Sequence, residues 1–152
     1  MAAAFALTAM VWLWGVDAMA VDGLTSKRSS FGPEETMKRL EAEVKAKGLT
    51  VFAHVDHAAG AAAVDMPLRP TDLLIFGNAK GGTPLMQSVQ SIGIDLPLKM
   101  LVWQDADGAT WVSYNDPAWL AHRHGLDDST KTTVNALTAA LNAIATKATT
   151  PP

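Results

Sequence analysis

The chain has 152 residues, 49% of them hydrophobic and 18% charged, with a formal net charge of −3. That length suits one domain with a two-layer core, and the composition excludes a disordered chain. No Lys/Arg cluster is longer than Lys27-Arg28, so the basic stripe that neutralises nucleic-acid phosphates is missing; the lack of cysteine excludes disulfides, thiolate metal sites, iron–sulfur clusters and cysteine nucleophiles.

Residues 1–16 hold one polar side chain, Thr8. Ala18-Met19-Ala20 has the small-x-small form of a signal-peptidase site, which predicts cleavage before Val21. The apolar run has about the length of a signal-peptide core and falls short of the ~20 residues of a full span. No Lys or Arg precedes it, so either the positive leader of a signal peptide is missing or the true start lies upstream. A retained membrane anchor is the alternative, with Trp12 and Trp14 suited to the bilayer interface. A buried helix of the domain is the third. Residues 1–20 therefore read as a signal peptide or anchor, an apolar helix ahead of a single α+β domain at 21–148. Residues 149–152 read as a disordered tail.

Within the domain, residues 24–30 predict a short strand. Pro33 follows Gly32 as a first helical residue, and Glu34 and Glu35 face the helix dipole. Met37, Leu40 and Val44 then form one apolar face, which Gly48 ends. Residues 49–55 are β-branched and aromatic, a strand broken by Asp56-His57-Ala58-Ala59-Gly60. Residues 61–68 read as a connection or short helix. Residues 73–76 form a compact apolar strand. Thr83 before Pro84 predicts a capped helix over 84–91. Residues 98–104 and 109–114 flank Asp105-Ala106-Asp107-Gly108 as a hairpin, with Trp103 and Trp111 placed to stack across it. Asp116-Pro117 caps a short helix, whose Trp119 is expected in the core. Val134, Leu137, Leu141 and Ile144 stripe a long closing helix.

Asp56-His57-Ala58-Ala59-Gly60-Ala61 and Leu68-Arg69-Pro70-Thr71-Asp72-Leu73-Leu74-Ile75-Phe76-Gly77-Asn78 are followed by Lys80-x-Gly82-Thr83-x-Leu85-Met86-Gln87. Ile94-Asp95-Leu96-Pro97-Leu98-Lys99 and Tyr114-Asn115-Asp116-Pro117 complete the series. In this order they closely resemble the bacterial domain-of-unknown-function 302 family, over about residues 25–125. Ala79 and Gln90 stand where the family pattern has proline. The resemblance implies a TATA-binding-protein-like topology, β-α-β(4)-α: an antiparallel curved sheet of about five strands with helices on one face. It implies no settled activity, and members that bind ligand or haem as homodimers.

The candidate ligand-binding residues are His57, Asn78, Lys80, Thr83 and Met86. Asp56-His57 is the most chemical-looking pair, but strand neighbours point to opposite faces, so its structural reading is a tied-down turn. His57, ahead of His54, is the candidate axial ligand for a non-covalent haem, with Met66, Met86 and Met100 as pocket lining. His54 with His57, and His122 with His124, diverge too far for a closed metal site. Residues 77–84 follow a strand and open a helix, which favours an anion near Lys80. The Lys precedes the glycine pair, so this is not a P-loop.

These observations lead to an exported, non-enzymatic ligand-binding or interaction domain, periplasmic or secreted. Haem or another small apolar or anionic molecule is its expected ligand. An accessory subunit of a membrane complex, held by residues 1–16 and facing the periplasm, is the alternative. A small enzyme using His57 and Lys80 is the third.

Overall fold

The computed structural model describes residues 21–152; the apolar helix expected over residues 1–20, with Trp12 and Trp14, lies outside them. The elements run β1 (Leu24–Arg28), α1 (Pro33–Ala46), β2 (Thr50–Asp56), α2 (His57–Ala62), β3 (Thr71–Gly77) and α3 (Ala79–Ser88). A 3-10 turn (Gln90–Ile94), β4 (Leu98–Gln104), β5 (Thr110–Asn115), α4 (Pro117–His124) and α5 (Lys131–Thr149) follow. The five strands form one antiparallel sheet in the order β1-β5-β4-β3-β2. The α+β architecture with a five-stranded sheet is the one expected.

Side-chain alternation sorts the sheet into two faces. Leu74, Phe76, Leu98, Met100, Val102, Val112 and Tyr114 point to one face, and all are buried. There they meet Met37, Leu40 and Val44 of α1 and Leu141, Ile144, Ala145 and Ala148 of α5, which together form the main core. Large side chains buried this way each stabilise the fold by about 1.5–3 kcal/mol. A smaller cluster of Leu85, Ile92 and Val134 joins α3, the 3-10 turn and α5 beside it.

The opposite face carries Leu73, Ile75, Leu101, Trp103 and Trp111, all half-buried. Trp103 and Trp111 are register partners and stack, with centroids 6.2 Å apart and planes 22° apart, as expected. Ser113 accepts the Trp103 indole N–H at 2.8 Å and lies 2.7 Å from the Ser26 hydroxyl, which ties β1 to this face.

β2 ends at Asp56 as expected, where the side chain accepts the Ala59 N–H at 2.7 Å, ties down the turn and starts α2. Several local expectations are corrected. Thr83 does not cap α3. The cap is Asn78, whose side chain accepts the Gly81 N–H at 2.7 Å, and the helix covers Ala79–Ser88, so Pro84 sits inside it. Trp119 is half-buried and not in the core. Its indole lies against Gly23 and donates to Asp22 at 3.1 Å, and a Cβ on Gly23, at φ +75°, would come within 2.2 Å of the ring. The closing helix runs to Thr149, which is buried, and the Thr150 carbonyl accepts from Arg39 at 2.9 Å. The chain is therefore held two residues into the expected tail.

The β4–β5 turn is organised by one carboxylate. Asp105 accepts the backbone N–H groups of Asp107 at 3.0 Å and Ala109 at 2.8 Å, and the Trp111 indole N–H at 2.7 Å, while Gly108 supplies φ +80°. The Trp111 donor holds the Asp105 carboxyl below its ordinary value of 3.8. A lowered pKa in the folded state adds stability that is full above the ordinary value and is lost as pH falls through the lowered one. Asp105→Ala is therefore expected to lower the melting temperature at neutral pH. The gap to the parent should close in strong acid; a gap that stays constant with pH would contradict this role.

Candidate functional site

A cavity of about 680 Å³ opens where the main core meets the smaller cluster. Leu96 and Leu137 pack against both clusters and also line this cleft. Leu49, Phe52, Gly77 and Leu98 form its floor at one corner of the sheet. The first half of α5 forms one wall through Thr132, Thr133, Ala136 and Ala140, and the start of α3 forms the other. The small residues on α5 leave the space: the same helix is bulky at Leu141 and Ile144, where it closes on the sheet.

The wall from α3 carries the polar chemistry. A helix leaves its first N–H groups without intrahelical acceptors. In α3, Gly81 donates to the Asn78 side chain and Gly82 to the Asn78 carbonyl at 3.2 Å, which leaves the amides of Ala79 and Lys80 without an acceptor among the described residues. Pro84 has no N–H, so the Lys80 carbonyl also loses its partner one turn on. Lys80 is exposed and makes no ion pair among the described residues. It is the one charged side chain among the nineteen that line the cleft.

The structure brings together three of the five candidate residues, Asn78, Lys80 and Met86. Thr83 lies on α3 but is exposed and does not line the cleft. His57 is separate from it. His57 precedes β3 and Lys80 follows it, so the seven-residue strand sets them roughly 20 Å apart at ~3.3 Å per residue. The enzyme pairing of His57 with Lys80 is therefore not assembled.

The cleft is lined by no histidine, and its one sulfur is that of Met86. A haem held by His57 or His54 does not fit it, because axial ligation needs the histidine at the pocket. Met66 is exposed on the connection after α2, and Met100 is sealed in the main core. His54 instead lines a shallower groove of about 490 Å³ beside α1, with Nε2 3.3 Å from Asp72 Oδ1. Among the described residues no group of three His, Asp or Glu is placed to hold a metal ion.

Residue-by-residue reading missed the pair that holds the cleft's far rim. His124, at the end of α4, lies 2.6 Å from Asp95 through Nε2, and Lys99 donates to the carbonyls of Asp95 and Pro97 at 3.0 and 2.9 Å. Asp95 directly precedes the lining residues Leu96, Pro97 and Leu98. The signal available in the sequence was the Ile94-Asp95-Leu96-Pro97 motif, whose partner stands 29 residues further on. His124 and Asp95 are largely buried, so His124→Ala should lower stability by about 1–3 kcal/mol. Urea unfolding measures this, and a loss under ~0.5 kcal/mol would show that the pair does not brace the rim.

The chain matches the family described as "Domain of unknown function DUF302" over residues 25–144. It is 45% identical over 115 residues to the protein named fluoride-specific ion channel FluC 1 of Brucella suis biovar 1, which covers 76% of this chain and 45% of that protein. The FluC 1 of Brucella abortus biovar 1 and the FluC 2 of Brucella melitensis biotype 1 match at the same identity and length, over 43% of each. The chain thus spans less than half the length of these curated relatives. Its fold matches the crystal structure of an uncharacterized conserved DUF302 protein from Bacillus stearothermophilus, with a TM-score of 0.75 at 21% identity, covering 84% of this chain and 99% of that one. At that identity the likeness is one of fold.

Proposed function

This chain belongs to the DUF302 family, and from the geometry of its cleft we propose that it is a non-enzymatic ligand-binding domain serving a membrane protein. The observation that carries the reading is the apolar cleft of about 680 Å³ at the seam between the two hydrophobic clusters. That volume lies within the range of sites for small organic ligands, and its polar groups are few, as in such sites, with the one charged group on the α3 rim. Catalysis draws less support. Lys80 is the only titratable side chain lining the cleft, and no base stands beside the Thr132 or Thr133 hydroxyl.

The second half of the reading concerns place. The curated relatives are named as fluoride-specific ion channels, and more than half of each lies outside the matched portion. Residues 1–16 are apolar enough to attach the domain to a bilayer. We place the domain beside such a channel, on the periplasmic side, where the ligand in its cleft conditions the channel's work. Among the described residues no helix is long and apolar enough to cross a membrane, so attachment falls to residues 1–16.

A neutral apolar fluorophore such as N-phenyl-1-naphthylamine should brighten with the purified protein. Ala140→Trp, which fills the cleft from α5, should abolish the signal while leaving the melting transition cooperative. Brightening that survives Ala140→Trp, or none with the parent, would overturn the cleft as a ligand site. Separately, the full chain is expected in the membrane fraction after an alkaline wash. Recovery only as a soluble protein beginning at Val21 would remove the membrane half of the reading.

A further inference from the structure

Resting on the cleft as a ligand site, we infer the class of its ligand: a single-chain amphiphile with a monoanionic head, such as a long-chain carboxylate. The cleft's body and rim differ sharply in chemistry. Leu49, Phe52, Leu96, Leu98, Leu137 and Leu141 present apolar surface. An inorganic ion would lose its water against these walls with little to replace it, so they call for hydrocarbon.

The rim calls for a negative charge, and for one only. Of the nineteen lining residues, Lys80 alone is charged, and among the described residues no carboxylate lines the cleft to compete for it. The free amides of Ala79 and Lys80 stand at the positive end of the ten-residue α3. Cation, amides and dipole therefore reinforce one another at one end of an apolar space. A dianionic phosphate head would find a single cation here. An ammonium head would find no anion, and a neutral head would leave Lys80 unused.

The volume agrees with a medium-length chain. Dodecanoate, at about 30 Å³ for each heavy atom, needs roughly 400 Å³, which the cleft holds with room for a longer tail. Gly81 and Gly82 weaken the interior of α3, and a Cβ on Gly82 would make only an ordinary contact with Leu96, at 3.5 Å.

The test displaces N-phenyl-1-naphthylamine with three ligands of one tail length, below their micelle concentrations: dodecanoate, dodecanol and dodecyltrimethylammonium. Dodecanoate should compete about tenfold more tightly than either of the others at low salt. Lys80→Gln should bring dodecanoate down to the level of dodecanol and leave dodecanol unchanged, while Lys80→Arg should retain the preference. Equal competition by all three, a preference for the cation, or dodecanoate binding indifferent to Lys80→Gln would overturn the inference and leave the cleft reading standing. No binding of the reporter would overturn both.

Discussion

Leu141, Ile144, Ala145 and Ala148 of α5 pack onto α1 and the buried face of the sheet, and the remaining architecture follows from that contact. α5 has nineteen residues and spans about 28 Å at 1.5 Å per residue. Its second half carries this contact. Its first half therefore projects over the sheet corner where β2 begins and β3 ends. Had that half carried leucines at 136 and 140, it would have closed down as core. It carries alanines at both positions and threonines at 132 and 133, so the helix is held at core distance without filling the space beneath.

The other walls answer the same constraint. β3 must pass its chain to β4 across the open corner, and α3, the 3-10 turn and the segment at 95–98 make that crossing. Leu85, Ile92 and Val134 bury these pieces against α5, and the His124–Asp95 bond and the Lys99 donors fix the return into β4. A cleft bounded by two separately stabilised clusters can exchange a ligand without disturbing the main core. The cost falls on α3, which combines an Asn cap and two glycines in its first turn with a proline in its second, and has the least helix-forming sequence of the long helices.

The sheet and the long helices were legible because each obeys one strong rule. Met37, Leu40 and Val44 repeat at helical spacing, and the β4–β5 hairpin alternates around an Asp-Gly turn. The fold topology was legible through the family motifs. The start of α3 was not, because a proline preceded by threonine is a strong start signal and a Gly-Gly pair argues against helix. Tertiary packing of Leu85 and the Asn78 cap outweighed both. Of the candidate site, Asn78 and Lys80 were legible from the strand-loop-helix context, and Met86 as the lining of a haem pocket. The cleft's floor and far wall were not, since Val134, Leu137, Leu141 and Ile144 stripe α5 as an ordinary core helix and the alanines between carry no signal of their own. Only the three-dimensional seam shows that they face a space. The structural reading of Asp56-His57 was legible too: the pair ends the strand, and its aspartate ties down the turn by capping α2.

The central claim is that the seam under the first half of α5 is where this protein meets its ligand. Amide and methyl NMR spectra of the protein titrated with dodecanoate test it most directly. The account predicts that the resonances of Lys80, Gly82, Met86, Leu96, Leu137 and Ala140 move together and saturate with one affinity, while Trp103 and Trp111 stay in place. Shifts confined to the Trp103–Trp111 face, or spread without saturation over the surface, would contradict it.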